Sequence, residues 1–264
     1  MITHRNNLEN SQLAGIRLLT HKGTIRKKAD QDDAWLFQLM GAYNFIFDIG
    51  ANVGLSSLFA KVQDPEKKLL LVDPNPEALS IAAKNLITNL LSANTEFISA
   101  FVSNEVDKEI DFFTIGSGAA GSMYAGHAET AAATGQSIKV KTLSIDYLVE
   151  KVGWLPEFIK VDVEGAEALV LEGANKTAAQ KKTVFMVEMH SPPELPMLKN
   201  AELIIEWVNQ VGYSAWYMKE AVILSKPEQI AQRGKCHLLL MPKGQVYPEA
   251  LAKIPQRAPI PNGL

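Results

Sequence analysis

The stretch FIFDIGANVG, Phe45 to Gly54, runs an apolar strand into an acid and then into two glycines spaced around an asparagine. Asp48 ends the hydrophobic run, and Gly50, Asn52 and Gly54 open the amphipathic segment in which Leu55, Leu58, Phe59 and Val62 recur at helical spacing. A loop of this kind lets backbone approach a ligand, because glycine has no Cβ and tolerates unusual dihedrals. Outward from it the same alternation repeats. LLLVD (69–73), EFISAFV (96–102), FIKVDV (158–163) and VFMVEM (184–189) read as further strands. Leu79, Ala82, Ala83, Leu86 and Leu90 mark a second helix, started by Asn75, Pro76 and Glu77. Near-continuous apolar strands separated by amphipathic helices predict a doubly wound α/β domain, its mostly parallel sheet covered on both faces.

The remaining segments organise around that sheet. Residues 1–44 form an N-terminal cap segment with a helix predicted in DDAWLFQLM, residues 45–242 the main domain, and 243–264 a proline-containing tail, expected to be extended or frayed. An insert at about 103–143 holds two extra strands, KEIDFF and SIKVKTLSID. They flank a Gly/Ala/Ser/Thr-rich segment, Thr114 to Gln136, that reads as a surface loop or as a lid over a substrate. With 47 % hydrophobic residues and a net charge of −3, the 264-residue chain has a globular composition and no electrostatic footprint for nucleic acid or an anionic membrane. A single cysteine, Cys236, excludes an internal disulfide framework, and it reads as a buried small hydrophobe. MITHRNNLENSQ lacks a signal-peptide core, so the expected location is cytoplasmic.

In such a sheet, ligands sit outside the carboxyl ends of the strands. A dinucleotide fingerprint requires glycine where Asn52 and Leu55 stand, and Asp48 would oppose a pyrophosphate. A nicotinamide-dependent oxidoreductase is therefore disfavoured. Asp73, closing the second strand, is placed to accept both hydroxyls of a ribose. An acid, a glycine loop and a second acid suit a cationic nucleoside without phosphates, namely S-adenosylmethionine. The cofactor set predicted is Asp48, Gly50, Asn52, Gly54 and Asp73, with Ala100 and Phe101 at the end of the third strand.

FDIGANVG, VDPNPEA, FIKVDVEGAEALVLEGA and VFMVEMH, in this order between Phe45 and His190, resemble the FkbM family of class I methyltransferases. The resemblance implies a seven-stranded, Rossmann-like sheet and S-adenosylmethionine as cofactor. It also implies O-methylation of a sugar, glycan or natural-product scaffold. A nucleoside-binding protein of the same fold without catalysis is the non-enzymatic alternative.

Strand alternation puts Lys160, Asp162 and Glu164 on one side, and puts Glu188 and His190 on a common face. Lys160 and Glu188 read as a structural ion pair. Asp162, Glu164 and His190, near the strand exits, are the catalytic candidates. His190 has the ordinary pKa of a base at neutral pH. Asp162 is the other candidate base, or positions the acceptor or the methionine amine. Asp162, Glu188 and His190 also form a possible set of ligands for magnesium or manganese, which spacing alone does not support. His4 and His21 read as solvated, His237 as packed in a late strand, and His127 as an isolated residue of the insert.

Overall fold

A computed structural model describes residues 7–114, 121–123 and 136–262. His4, His127 and most of the predicted lid therefore lie outside the described residues.

The chain opens with a hairpin of β1 (Leu8–Leu13) and β2 (Ile16–His21), followed by α1 (Asp33–Ala42). The predicted parallel strands follow as β3 (Phe45–Ile49), β4 (Lys68–Val72), β5 (Thr95–Ile98), β9 (Phe158–Val161) and β10 (Val184–Met189). Between and after them lie α2 (Leu55–Gln63), α3 (Pro76–Thr88), α4 (Ile145–Val152), α5 (Glu167–Glu172), α6 (Asn175–Ala179) and α7 (Met197–Gln210). A C-terminal group, β11 (Tyr213–Tyr217), β12 (Val222–Leu224), α8 (Pro227–Ala231) and β13 (Cys236–Pro242), precedes α9 (Glu249–Ala252). The main sheet has the order β12-β11-β13-β10-β9-β3-β4-β5, with β13 antiparallel to both of its neighbours. Seven of these strands make up the expected mostly parallel sheet, and the short hairpin partner β12 adds an eighth at one edge.

Period-two alternation splits each central strand between two cores. Ile46, Leu69, Leu71, Phe158 and Met186 pack with α1, α2 and α3. Phe47, Leu70, Val72, Ile159, Phe185 and Val187 pack against the opposite layer, which includes α4, α5, α6 and α7. Asn75 caps α3 by accepting from the N–H groups of Glu77 and Ala78, with Pro76 at the first helical position.

Three expectations change. EFISAFV is not one strand: β5 ends at Ile98, and β6 (Phe101–Val102) joins β8 (Ser137–Leu143) and β7 (Glu109–Phe113) in a separate small sheet. SIKVKTLSID is part strand and part helix, since Ser144 accepts from the Tyr147 N–H and caps α4. The proline-containing tail is docked rather than frayed. Tyr247 and Leu251 are buried, Trp35 Nε1 donates to the Ile254 carbonyl at 2.7 Å, and the Arg257 N–H donates to the Gln31 carbonyl at 3.1 Å.

The N-terminal hairpin is fastened to α3 by two asparagines. Asn85 accepts from the His21 N–H at 2.7 Å and donates to Thr24 Oγ1 and the Val53 carbonyl, each at 2.9 Å. Asn89 both accepts from the Leu19 N–H and donates to the Leu19 carbonyl, each at 2.9 Å. The segment after β2 is thereby held beside the first glycine loop.

Candidate active site

The parallel strands β3, β4 and β9 end together, and two cavities open at their exits. The first is an open cleft of about 610 Å³, solvent space included, walled by Val72, Ala78, Phe101, Val102 and Phe112, with Asp73, Gly50 and Asn52 among its polar edges. The second, about 950 Å³, lies toward the N-terminal cap. Gly50, Asn52, Asp162 and Glu164 line both.

Asp73 is the best-placed of the predicted cofactor residues. Its Oδ2 accepts the Asn52 N–H at 2.8 Å and its Oδ1 the Asn75 N–H at 2.8 Å. Burial pushes its carboxyl up to about 6, against the pull of those two N–H donors. Asn52 adopts a left-handed φ of 46°, a conformation asparagine tolerates better than most residues, and this turns its N–H toward Asp73. Ala100 and Phe101 line the same cavity, and so do Asn75 and Phe112, which the sequence reading did not place there. For Asn75 the signal was present in the capping sequence DPNP.

Asp48 and Gly54 have a different geometry from the one expected. Asp48 is fully buried and lines neither cavity. Its Oδ2 accepts from both Ser56 Oγ and Ser57 Oγ in the first turn of α2, and its Oδ1 lies 3.5 Å from Lys160 Nζ. The carboxylate anchors the helix start instead of facing a ligand. Gly54, at φ 83°, lies against α3, where an added Cβ would stand 2.8 Å from the Ala82 Cβ. Gly50 does line the cavities, yet its lack of a Cβ serves packing first. At φ 77°, a Cβ there would come within 1.8 Å of the Asp162 carbonyl oxygen.

Lys160 is not paired with Glu188 as expected. Its ammonium donates to the Gly50 carbonyl at 3.0 Å and lies 3.3 Å from Asp162 Oδ2. Burial works against this charge, but Asp162, Asp48 and Glu188 outweigh it and hold the ammonium above the usual lysine range. Glu188 instead takes the Lys235 ammonium on Oε1 at 2.6 Å.

His190 is buried and lines neither cavity. Its Nδ1 lies 2.8 Å from Glu167 Oε1, and Asn200 Nδ2 ties Glu167 Oε2 and the His190 carbonyl together at 3.0 and 2.9 Å. Around Nε2 stand Glu164 at 3.4 Å, Glu188 at 3.6 Å and Asp162 at 4.0 Å. Burial disfavours the imidazolium, but Glu167, Glu164 and Asp162 outweigh it and raise the ring to about 9. At neutral pH the ring is already charged, so the expected free base is instead a cation that gathers carboxylates. Glu167 was missed in sequence, although an acid inside the apolar helix sequence AEALVL was its signal.

Asp162 and Glu164 reach both cavities. Glu164 has a left-handed φ of 52°, uncommon for a residue with a side chain and of a kind that clusters at ligand sites. Its carbonyl accepts from Ser122 Oγ at 2.9 Å, so the short stretch Gly121 to Met123 within the insert is tied directly to the site. Gly121 also lines the first cavity. The second cavity carries six carboxylates, Asp30, Asp32, Asp33, Asp162, Glu164 and Glu188, against the cationic Arg26, Lys160 and Lys235.

Residues 48–215 match the methyltransferase FkbM domain. The chain belongs to the FkbM methyltransferase family. Solved structures similar to it include the methyltransferase FkbM from Methylobacillus flagellatus KT, at 15 % identity and a TM-score of 0.44, covering 88 % of this chain and 48 % of that one. The chain thus spans about half the length of that relative. The precorrin-6y C5,15-methyltransferase from Geobacter metallireducens GS-15 is 12 % identical at a TM-score of 0.47, with 85 % and 92 % covered. A SAM-dependent methyltransferase from Agrobacterium tumefaciens is 14 % identical at a TM-score of 0.45, with 89 % and 69 % covered. No curated protein sequence matches the chain. Among the described residues, no helix is long and apolar enough to cross a membrane.

Proposed function

We propose that this FkbM-family protein binds S-adenosylmethionine beside Asp73 and methylates a hydroxyl oxygen of a sugar, glycan or natural-product scaffold in the adjoining cavity. The observation that carries the reading is the meeting of a cavity with one apolar wall and one polar edge with a second, polar cavity at Gly50, Asn52, Asp162 and Glu164. The first cavity fits the cofactor. Asp73, aimed by two backbone N–H groups, keeps lone pairs for a vicinal diol, and Ala78, Phe101, Val102 and Phe112 offer walls for a flat heteroaromatic ring. Asp162 and Glu164 supply negative charge for the ammonium and sulfonium end.

Bound there, S-adenosylmethionine supplies an electrophilic methyl group. The chain's own contribution is alignment and proton acceptance. Asp162 lies at the junction, with Lys160 Nζ 3.3 Å from its Oδ2 holding it in place. It would accept the hydrogen bond of the acceptor hydroxyl and take its proton as the carbon–oxygen bond forms and the methyl–sulfur bond breaks, the sulfur leaving as a neutral thioether. Such a positioned base contributes about 10²–10⁴-fold, and holding the reacting atoms in line contributes further. His190 stays charged and fixes the carboxylates around it. The acidic lining of the second cavity favours a polyhydroxylated acceptor over nucleic acid, whose phosphates it would repel.

Methyl-labelled cofactor incubated with a panel of hydroxylated sugars and scaffolds tests the reading. The expected product is a methyl ether, with Asp162→Asn slowing turnover about 10²–10⁴-fold while the cofactor still binds. Label recovered only on nitrogen or carbon, or undiminished turnover in Asp162→Asn, would overturn it.

A further inference from the structure

The face of the polar cavity toward the N-terminal cap holds a second group of titratable side chains that the methyl-transfer reading does not use. Glu188 on β10 and His237 on β13 are directly opposed partners in the antiparallel ladder, so their side chains leave the sheet on the same face. Asp32, at the N-cap of α1, descends onto them from the cap. His237 Nε2 lies 3.6 Å from Asp32 Oδ2 and 3.7 Å from Glu188 Oε2. One ligand atom from each of the three falls within 4.8 Å of the others.

These separations are too long for hydrogen bonds. Neither ring nitrogen of His237 has a hydrogen-bond partner among the described residues, although the residue is only 3 % exposed. The ring faces the Asp32 and Glu188 carboxylates at ion-pair distance, an arrangement satisfied by a proton on the ring or by a metal ion between the three groups. Three ligands about 2.0–2.2 Å from one ion in tetrahedral arrangement lie about 3.4 Å apart, close to the two distances from His237 Nε2 to the carboxylates. We infer that Asp32, Glu188 and His237 bind a first-row divalent cation of the manganese or zinc class at the wall of the polar cavity.

Other features of the group agree. The Lys235 ammonium occupies Glu188 Oε1, which leaves Oε2 as the ligand oxygen facing His237. Trp35 packs edge-on to the His237 ring, with centroids 6.1 Å apart, and gives the site an apolar backing. Asp32 and Glu188 both line the cavity, so coordination positions open toward it, as in sites where an ion meets a substrate. Asp162, Glu188 and His190 have comparable spacing and share Glu188. There the Nδ1 of the imidazole meets the Glu167 carboxylate at 2.8 Å, and Nε2 faces Glu164, Glu188 and Asp162, so this group is the rival ligand set that the His190→Gln variant separates from the first. Imidazole with carboxylates suits manganese or zinc better than magnesium. An ion here would hold an acceptor oxygen and lower its pKa; that role rests on the acceptor reading of the cavity, whereas binding itself does not.

The test is metal titration of the full chain after chelator treatment and dialysis, with circular dichroism as the check on folding. Free Mn²⁺ is followed by its paramagnetic resonance signal, and Zn²⁺ by competition with a chromophoric chelator. One saturable ion per chain is expected. Asp32→Asn and His237→Gln should each weaken it by at least about tenfold while His190→Gln leaves it in place. The two substitutions are close in shape to the native side chains, and His237→Ala serves as the second histidine variant. No saturable binding to folded protein, or binding that survives His237→Gln and is lost in His190→Gln, would overturn the assignment. S-adenosylmethionine affinity measured by calorimetry on the same ion-free samples separates the two readings. Cofactor binding without ion binding sinks only the metal site, and ion binding without cofactor binding sinks only the methyltransferase reading.

Discussion

Asp73 sits 7 % exposed, with one oxygen on the Asn52 N–H and the other on that of Asn75, and burial pushes its carboxyl up to about 6. A ribose diol donates more strongly to the carboxylate, with its charge and the lone pairs of two oxygens, than to the neutral acid. Cofactor affinity should therefore be steady above about pH 6 and fall as the pH drops through that value, as calorimetry across pH 5–8 would record. Asp73→Ala should remove the pH dependence and weaken binding by about 1.5–3 kcal/mol, the range for a hydrogen bond to a charged group. Gly50 makes a different forecast. Because a Cβ would meet the Asp162 carbonyl oxygen at 1.8 Å, Gly50→Ala should lower the urea midpoint as well as cofactor affinity. Affinity lost at unchanged stability would mean that the glycine serves the ligand alone.

At the level of elements, Glu167 on α5 joins His190, just past β10, to Asn200 on α7. These contacts set the direction in which the carboxylates at the strand exits point. Glu167→Gln removes one partner of a buried ion pair, which costs about 3–5 kcal/mol. Urea unfolding should show that loss, and Glu167→Asp should recover only part of it. Much of the architecture around this network was legible in sequence, because LLLV, FIKV and VFMVEM are long apolar runs that leave little choice but a covered parallel strand. The Asp73 end of β4 was legible for the same reason. Ser56 and Ser57 capturing Asp48 was not, since nothing in two consecutive serines tells a helix-start hydroxyl from a solvated one. Nor was the opposition of Glu188 and His237, which depends on the register between two strands far apart in the chain. The split of EFISAFV was hidden because a largely apolar run with one serine reads as one strand, although its last two residues pair in another sheet.

On the scale of the whole molecule, pH acts on stability through the buried His190. Its folded value of about 9 lies above the ordinary 6.5, so the folded state binds this proton more tightly than the unfolded chain does. The resulting stabilisation is complete below pH 6.5 and is lost as the pH rises through about 9. The raised value corresponds to on the order of 3 kcal/mol. Urea midpoints measured from pH 6 to 9.5 should fall across that window, and the fall should flatten in His190→Gln. A midpoint independent of pH in the wild-type protein would show that the ring is not held as an imidazolium.

The sheet order has a consequence for how the chain is made. β13, which lies between β10 and β11, is the last strand of the sheet to be synthesised, and the cap is latched to the tail by the Trp35 side chain of α1 on the Ile254 carbonyl and by the carbonyl of Gln31, just before α1, on the Arg257 N–H. A polypeptide emerging from the ribosome can zip β3, β4, β5, β9 and β10 as they appear, but β10 keeps an unpaired edge until residues 236–242 have left the exit tunnel. At about 5–20 residues per second, that edge is bare for several seconds. It is a long, apolar edge of the type that pairs readily with other chains. A chain ended before residue 236 is therefore expected to aggregate where the full chain does not, as light scattering of the two would record.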